Sequence, residues 1–249
     1  RQGPLDASGL AAMEEAAKAL IVQRIADHDS YADVELWNAS TRTITAFRVA
    51  TCAPSLHAQS GLDNIDIPQR NIGPGETYTL NISKRSSPLC DPITPKPAAV
   101  IFEDGTGVGV PRTVAEIQFE RLGRIAETER LNKILEAAGD APNLVALCGQ
   151  IGEVPSGTEE EVQAGIQAAL AGINPDIMAR ATRRDRSALY QGISGIRGPL
   201  LAEIDRLAAF NPPPGVERQS LWKQLCEKYR TRAERYQEFR QQTPAGIYH

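Results

Sequence analysis

The chain has 249 residues, 41% of them apolar, which supports one large or two ordinary cores and excludes wholesale disorder. Its net charge is −4: residues 1–111 hold 9 Lys/Arg against 13 Asp/Glu, leaving 18 of each in residues 112–249, so neither half has the basic excess of a nucleic-acid binder. No run approaches the ~20 apolar residues of a membrane-spanning helix.

Residues 1–18 read as a loose or helical lead-in. Ala17–Asp27 is ambiguous, because Ala16-Ala17-Lys18-Ala19-Leu20 favours helix and Ile21-Val22-Gln23-Arg24-Ile25 favours strand. A strand from about 19 to 27 is chosen, since a sheet needs an opening strand to pair. Val34, Leu36 and Asn38 then alternate on one face. In the next run Ile44, Ala46 and Arg48 lie opposite Thr45, Phe47 and Val49, and the two runs, separated by Asn38-Ala39-Ser40-Thr41-Arg42-Thr43, read as an antiparallel pair. Gly73-Pro74-Gly75-Glu76 is a turn before a strand over Thr77–Ser83, and Ala98–Glu103 is an apolar strand ending in Asp104-Gly105-Thr106-Gly107.

Near Pro111 the periodicity changes from two to three and four. Pro111 suits a helix start, and Val114, Ile117, Leu122, Ile125, Leu131, Ile134 and Leu135 form a stripe that Ala138-Gly139-Asp140 stops. Further helices are predicted from Pro142 to about Gln150, from Ser156-Gly157-Thr158 to about Gly172, and from Asn174-Pro175-Asp176 onward, the last kinked or divided at Gly198-Pro199. Asn211-Pro212-Pro213-Pro214-Gly215 is a break. A final helix over Val216–Gln242 carries Trp222, Cys226, Tyr229, Ala233 and Tyr236 at heptad spacing, which calls for a partner helix.

The fold expected is therefore α+β in two segregated parts: an immunoglobulin-like antiparallel β-sandwich over residues 19–110, then an α-helical bundle or long helical hairpin over 111–243, and a tail at 244–249. Asn38-x-Ser with Thr43-Ile44-Thr45-Ala46-Phe47, Ile72-Gly73-Pro74-Gly75-Glu76 and Val100-Ile101-Phe102-Glu103-Asp104-Gly105-Thr106 before a long helix resembles uncharacterised exported bacterial proteins. The likeness covers residues 31–125 and rests on turns and strands. It implies a sandwich and export to the periplasm or cell surface, and brings no catalytic residue with it. The chain begins at Arg1, so either an export signal has been removed or the chain has been trimmed.

Four cysteines fall two and two, Cys52 and Cys90 in the β half and Cys148 and Cys226 in the helical half, the count that two intradomain disulfides would give. Reduced core thiols are the alternative. No Cys-x-x-Cys or Cys/His ligand spacing points to zinc.

Each arrangement that could carry chemistry has a plainer reading. Ser55, His57 and Asp63 name a hydrolytic triad, but no Gly-x-Ser-x-Gly elbow accompanies them. Asp27-His28-Asp29 offers ligands that point apart along a strand or turn. Asp63, Asn64 and Asp66 lack the Gly and closing Glu of a calcium loop. Gly105-x-Gly107-x-Gly109 is an incomplete nucleotide fingerprint, read as a turn plus linker. Arg180, Arg183, Arg184 and Arg186 form a basic cluster on a helix face, and the aromatic residues between 222 and 240 fall on the seam. Glu120, Glu127 and Glu136 lack the Glu-x-x-His of a di-metal bundle. Asn38-Ala39-Ser40 and Asn81-Ile82-Ser83 match the glycosylation pattern.

The expectation is a non-enzymatic protein with no metal or cofactor that engages a protein partner. Two alternatives are a hydrolase using Glu103, Asp104 and His57 at the junction of the halves, and a nucleic-acid binder using the Arg180–Arg186 face.

Overall fold

A computed structural model describes residues 5–84, 90, 92–140, 142–152, 158–210, 217–244 and 247. The chain forms two compact units, Arg1–Ile117 and Gln118–His249.

The first unit opens with helix α1 (Ala7–Ala19), capped by the Asp6 carboxylate on the Gly9 N–H. Seven strands follow: β1 (Leu20–Asp27), β2 (Tyr31–Asn38), β3 (Ile44–Cys52), β4 (Ser55–Asp63), β5 (Thr77–Ser83), β6 (Lys96–Phe102) and β7 (Gly107–Gly109). All pairings between them are antiparallel, in a three-stranded sheet ordered β1-β2-β5 and a four-stranded sheet ordered β4-β3-β6-β7. The ambiguous segment is thus divided, helix to Ala19 and strand from Leu20.

β2 and β3 do not form the expected pair. They lie in different sheets, and the reason sits in Asn38, which is fully buried at the end of β2. Its amide NH₂ donates to the carbonyls of Arg42 and Ile72, both at 2.8 Å, and its carbonyl accepts from the Ser40 amide at 3.0 Å and hydroxyl at 2.7 Å. One side chain thereby holds a crossing segment where a hairpin turn was expected. β3 also breaks the strict alternation, with register shifts after Ile44 and after Arg48, so Ile44, Phe47 and Val49 share the inner core.

The two sheets are buried differently. Along β2 the odd residues are half-exposed and Ala32, Val34, Leu36 and Asn38 are buried, the signature of one wet face. Nearly all of β3 and β6 is buried. Val100 and Phe102 join Val34, Leu36, Leu80 and Ile82 in a core shared by both sheets, and Met13 of α1 packs with Ala50 and Ala98.

Helix α2 (Pro111–Ala138) starts in the first unit and continues into the second. Its first two turns set Val114 and Ile117 against Ala46, Ala99 and Ile101 of the four-stranded sheet, which places the division of the chain beyond Pro111.

The second unit contains the rest of α2, α3 (Leu144–Ile151), α4 (Glu159–Leu170), α5 (Pro175–Arg180), α6 (Arg183–Ala209) and α7 (Arg218–Gln242). Leu131 and Leu135 of α2, Leu147 and Ile151 of α3, Ile196, Leu200 and Ile204 of α6, and Trp222, Leu225 and Tyr229 of α7 make one core. The α7 seam is confirmed at Trp222, Tyr229, Ala233 and Tyr236, with Leu225 taking the buried place beside Cys226. α2 and α6 touch backbone to backbone. A Cβ at Gly123 would lie 2.2 Å from the Leu189 carbonyl, and one at Gly192 would lie 2.0 Å from the Glu120 carbonyl.

Of the kink or division expected at Gly198-Pro199, the division does not occur there; it falls earlier, between α5 and α6. Thr182 and Asp185 form a reciprocal capping box there, and Pro199 lies within α6. Packing of Ile196, Leu200 and Ile204 on one face keeps that helix continuous across the proline.

Candidate functional site

Residues 121–128 are the most enclosed stretch of α2: all but the half-buried Arg124 are buried, so the polar side chains among them must find partners inside the protein. Glu127 is fully buried and accepts on both oxygens. Arg197 Nε of α6 donates to Oε1 at 2.7 Å, while Arg130 Nη2 reaches Oε1 at 2.7 Å and Nε reaches Oε2 at 2.9 Å. Arg130 also donates to the Ile151 carbonyl at 2.9 Å, where α3 ends at Gly152 in a positive-φ conformation. One carboxylate therefore ties α2, α3 and α6 together. Nearby, Arg121 is fully buried with its guanidinium 5.3 Å from the Phe239 ring centre. A carboxylate forked between two guanidiniums is poorly placed to abstract a proton or ligate a cation; its role here is to fix helices.

The residues singled out in the sequence are dispersed. Ser55 and Asp63 stand at opposite ends of β4, about 26 Å apart at ~3.3 Å per residue, so they cannot share a triad. The side chain of His57 lies outside the described residues. Asp63 accepts from the Ile65 N–H at 3.2 Å and Asn64 donates to the Arg70 carbonyl, so this segment closes its own loop. Asp27 pairs with Lys84 at 2.8 Å, whereas His28 stacks on Tyr31 with ring centres 4.4 Å apart and approaches Asp33 at 3.5 Å.

The three glycines after Phe102 serve a hairpin. Gly107–Gly109 pairs with β6 as β7, where a turn plus linker was expected, and a Cβ on Gly109 would meet the Ala98 carbonyl at 2.3 Å. Asp104 braces that turn. It accepts from the Thr106 amide at 3.0 Å and hydroxyl at 2.7 Å, and it pairs with Arg42, whose guanidinium lies 3.9 Å from the Phe102 ring centre. Burial pushes the Asp104 pKa up, but the Thr106 bonds and Arg42 outweigh it and leave the carboxyl below its ordinary value.

Glu120 pairs with Arg124 at 2.6 Å, and Glu136 accepts from Asn132 at 2.8 Å. Arg180 ends α5 while Arg183, Arg184 and Arg186 begin α6, with Arg186 half-buried, so the basic cluster is divided by a helix junction. Among the described residues no three His, Cys, Asp or Glu side chains come together.

Of the cysteines, Cys52 and Cys90 form a disulfide. The second bridge expected, Cys148 to Cys226, is not formed. Both are separate, half-buried thiols at the margin of the second unit's core, one on α3 and one on α7. Burial, and then Asp205 for Cys148 and Asp140 for Cys226, raises each thiol pKa, which disfavours the reactive thiolate.

Two surfaces of the described residues bear on binding. A cavity of about 350 Å³ opens in the second unit between Asp140, Leu144, Leu207, Arg218 and Trp222, the last donating to the Gly139 carbonyl at 2.8 Å. The outer face of the three-stranded sheet carries Tyr31, Asp33, Glu35 and Trp37 of β2 beside Thr77, Thr79 and Asn81 of β5. Neither the buried forked carboxylate nor the fully buried Arg121 was legible in sequence, where charged helical residues default to the surface; the eight-residue span enclosing them could have been found only through Gly123 and Ala126, the small residues beside them. No helix of the described residues is long and apolar enough to cross a membrane. Comparisons with protein-family models, with curated proteins and with solved structures found no match.

Proposed function

We propose that this chain is a non-enzymatic module of the bacterial envelope, exported to the periplasm or cell surface, that presents its surface to a protein partner or another envelope component. The observation carrying the reading is the fate of the ionisable side chains. Glu127, among the described residues the one carboxylate buried in a helical core, is forked between two arginines, and the acids and histidine described elsewhere serve separate turns and ion pairs.

The first unit is read as an immunoglobulin-like sandwich. Its order β1-β2-β5 against β4-β3-β6-β7 sends the chain from one sheet to the other after β2, β4 and β5, as Greek-key sandwiches do. The Cys52–Cys90 bridge favours an oxidising compartment.

The test is site-specific photo-crosslinking in bacteria that carry the gene, with the crosslinker at Gln219 or at Val145, both exposed. A discrete adduct in the envelope fraction that is absent with a crosslinker at buried Leu200 is expected; uniform absence of adducts from exposed sites over the whole surface overturns the reading.

A further inference from the structure

The outer faces of the two sheets differ in a way that core packing does not explain. The four-stranded sheet turns Ala46, Ala99 and Ile101 outward and covers them with Val114 and Ile117 of α2. The three-stranded sheet turns outward a row of aromatic and polar side chains. Val34 and Leu36 belong to the core, so their strand neighbours Glu35 and Trp37 must face away from it.

The register fixes the pattern on that face. Trp37 lies opposite Thr77, Glu35 lies between Arg24 and Thr79, Asp33 lies opposite Asn81, and Tyr31 lies opposite Ser83. Trp37 and Tyr31 are six residues apart on one strand, about 20 Å at ~3.3 Å per residue. His28 stacks on one face of the Tyr31 ring, with ring centres 4.4 Å apart. Among the described residues, Arg24, Glu35 and Thr79 make no side-chain hydrogen bond or ion pair, although Arg24 and Glu35 are cross-strand neighbours. Donors and acceptors on the face are thus left for something outside the chain.

The chemistry of the occupant follows. Two aromatic side chains set apart along one sheet face suit an extended chain of rings that stack their C–H faces on Trp and Tyr. The hydroxyl, carboxylate and guanidinium groups between them suit a ligand rich in hydroxyls, which both donate and accept. One arginine against two carboxylates gives no basic field for nucleic acid or anionic lipid. The aromatic side chains are separated by charged ones, so the face lacks the contiguous apolar centre of a stable protein interface. We propose that this face, with Trp37 and Tyr31 as stacking platforms and Arg24, Glu35, Thr79 and Asn81 between them, binds an uncharged polysaccharide. The inference deepens the envelope-module reading and rests on it for the setting in which such a ligand is met.

The test uses the full chain. It is sedimented with insoluble cellulose, xylan, mannan and β-1,3-glucan, and titrated with soluble fragments of whichever is retained while tryptophan fluorescence is followed. Trp222 lines the cavity of the second unit, so the part of a ligand-induced change that is lost in Trp37→Ala is the part that reports Trp37. Retention of at least one polymer is expected, persisting in about 1 M NaCl, which screens charge to ~3 Å. Trp37→Ala and Thr79→Glu are each expected to weaken it at least about tenfold. Thr79 is exposed but lies opposite Glu35, so the melting temperature of its variant is measured beside the binding, and a cooperative transition above the assay temperature separates loss of binding from loss of fold. No retention of any polymer, retention unchanged in both variants, or retention abolished by salt overturns the proposal. A protein adduct crosslinked in the envelope, together with no polysaccharide retained, overturns this inference alone and leaves the function proposed above standing.

Discussion

Glu127 receives three guanidinium N–H bonds while fully buried, and the consequence of removing either arginine or the acid differs from that of removing all three. Glu127→Ala leaves two arginines facing each other, and Arg197→Ala leaves the acid short of its most buried partner; each is expected to cost about 3–5 kcal/mol in urea unfolding. Replacing Glu127, Arg130 and Arg197 together by Leu, Met and Met is expected to recover most of that loss, because the desolvation of the ions disappears with them. Asp104 gives a pH signature of the opposite kind. Its folded-state pKa lies below the unfolded value, so its contribution is present above about pH 4 and is lost as pH falls through the folded value. The side chain is 43% exposed and the effect is correspondingly modest. Thermal unfolding of Asp104→Asn is expected to fall below the parent at pH 6 and to approach it as pH is lowered below about 4.

At the scale of elements, the crossing of α2 and α6 depends on two glycines that face each other's backbone. Gly192→Ala sets a methyl 2.0 Å from the Glu120 carbonyl, with no flexible side chain to yield, and is expected to cost about 3 kcal/mol, at the upper end for overpacking. Gly195→Ala on the same helix meets open space and is expected to gain up to about 1 kcal/mol from helix propensity, which makes it the control in the same denaturation series. Much of the element order was legible in sequence. The alternation of Val34, Leu36 and Asn38 on one face announced a strand, observed over Tyr31–Asn38, and the apolar run Ala98–Glu103 announced another, observed over Lys96–Phe102. Pro111 and Asn174-Pro175 marked helix starts, and the expected break at Asn211–Gly215 itself lies outside the described residues, with α6 ending at Ala209 before it and α7 beginning at Arg218 after it. β4 was not legible, because Ser55-Leu56-His57-Ala58-Gln59-Ser60-Gly61 carries little β propensity and is placed by pairing with β3. The division at Thr182 was missed for a related reason: Pro199 is the stronger local signal, and tertiary packing overrode it.

Across the whole molecule, the cysteines report how chemically unlike the two units are. Alkylation of the unfolded, unreduced chain is expected to modify two residues, Cys148 and Cys226, and four after reduction, as read by intact mass. The bridge closes a separation of 38 residues in the first unit, and its removal by Cys52→Ala/Cys90→Ala is expected to cost that unit about 4 kcal/mol, leaving the second unit's transition in place. The pairing in the β half was within reach of a count by region; the absence of a matching one in the helical half was not, because an even number of cysteines says nothing of where helices α3 and α7 aim them.

The buried amide of Asn38 bears on how the protein is produced. Asn38-Ala39-Ser40 is an acceptor sequence for oligosaccharyl transfer, and in a eukaryotic secretory host that transfer acts on the chain as it emerges. A glycan fixed there early could not be folded into a position with no solvent exposure and four hydrogen bonds, so such material would be retained as misfolded protein. Asn81 would accept one without harm to the fold, on the very face that Trp37 and Tyr31 share.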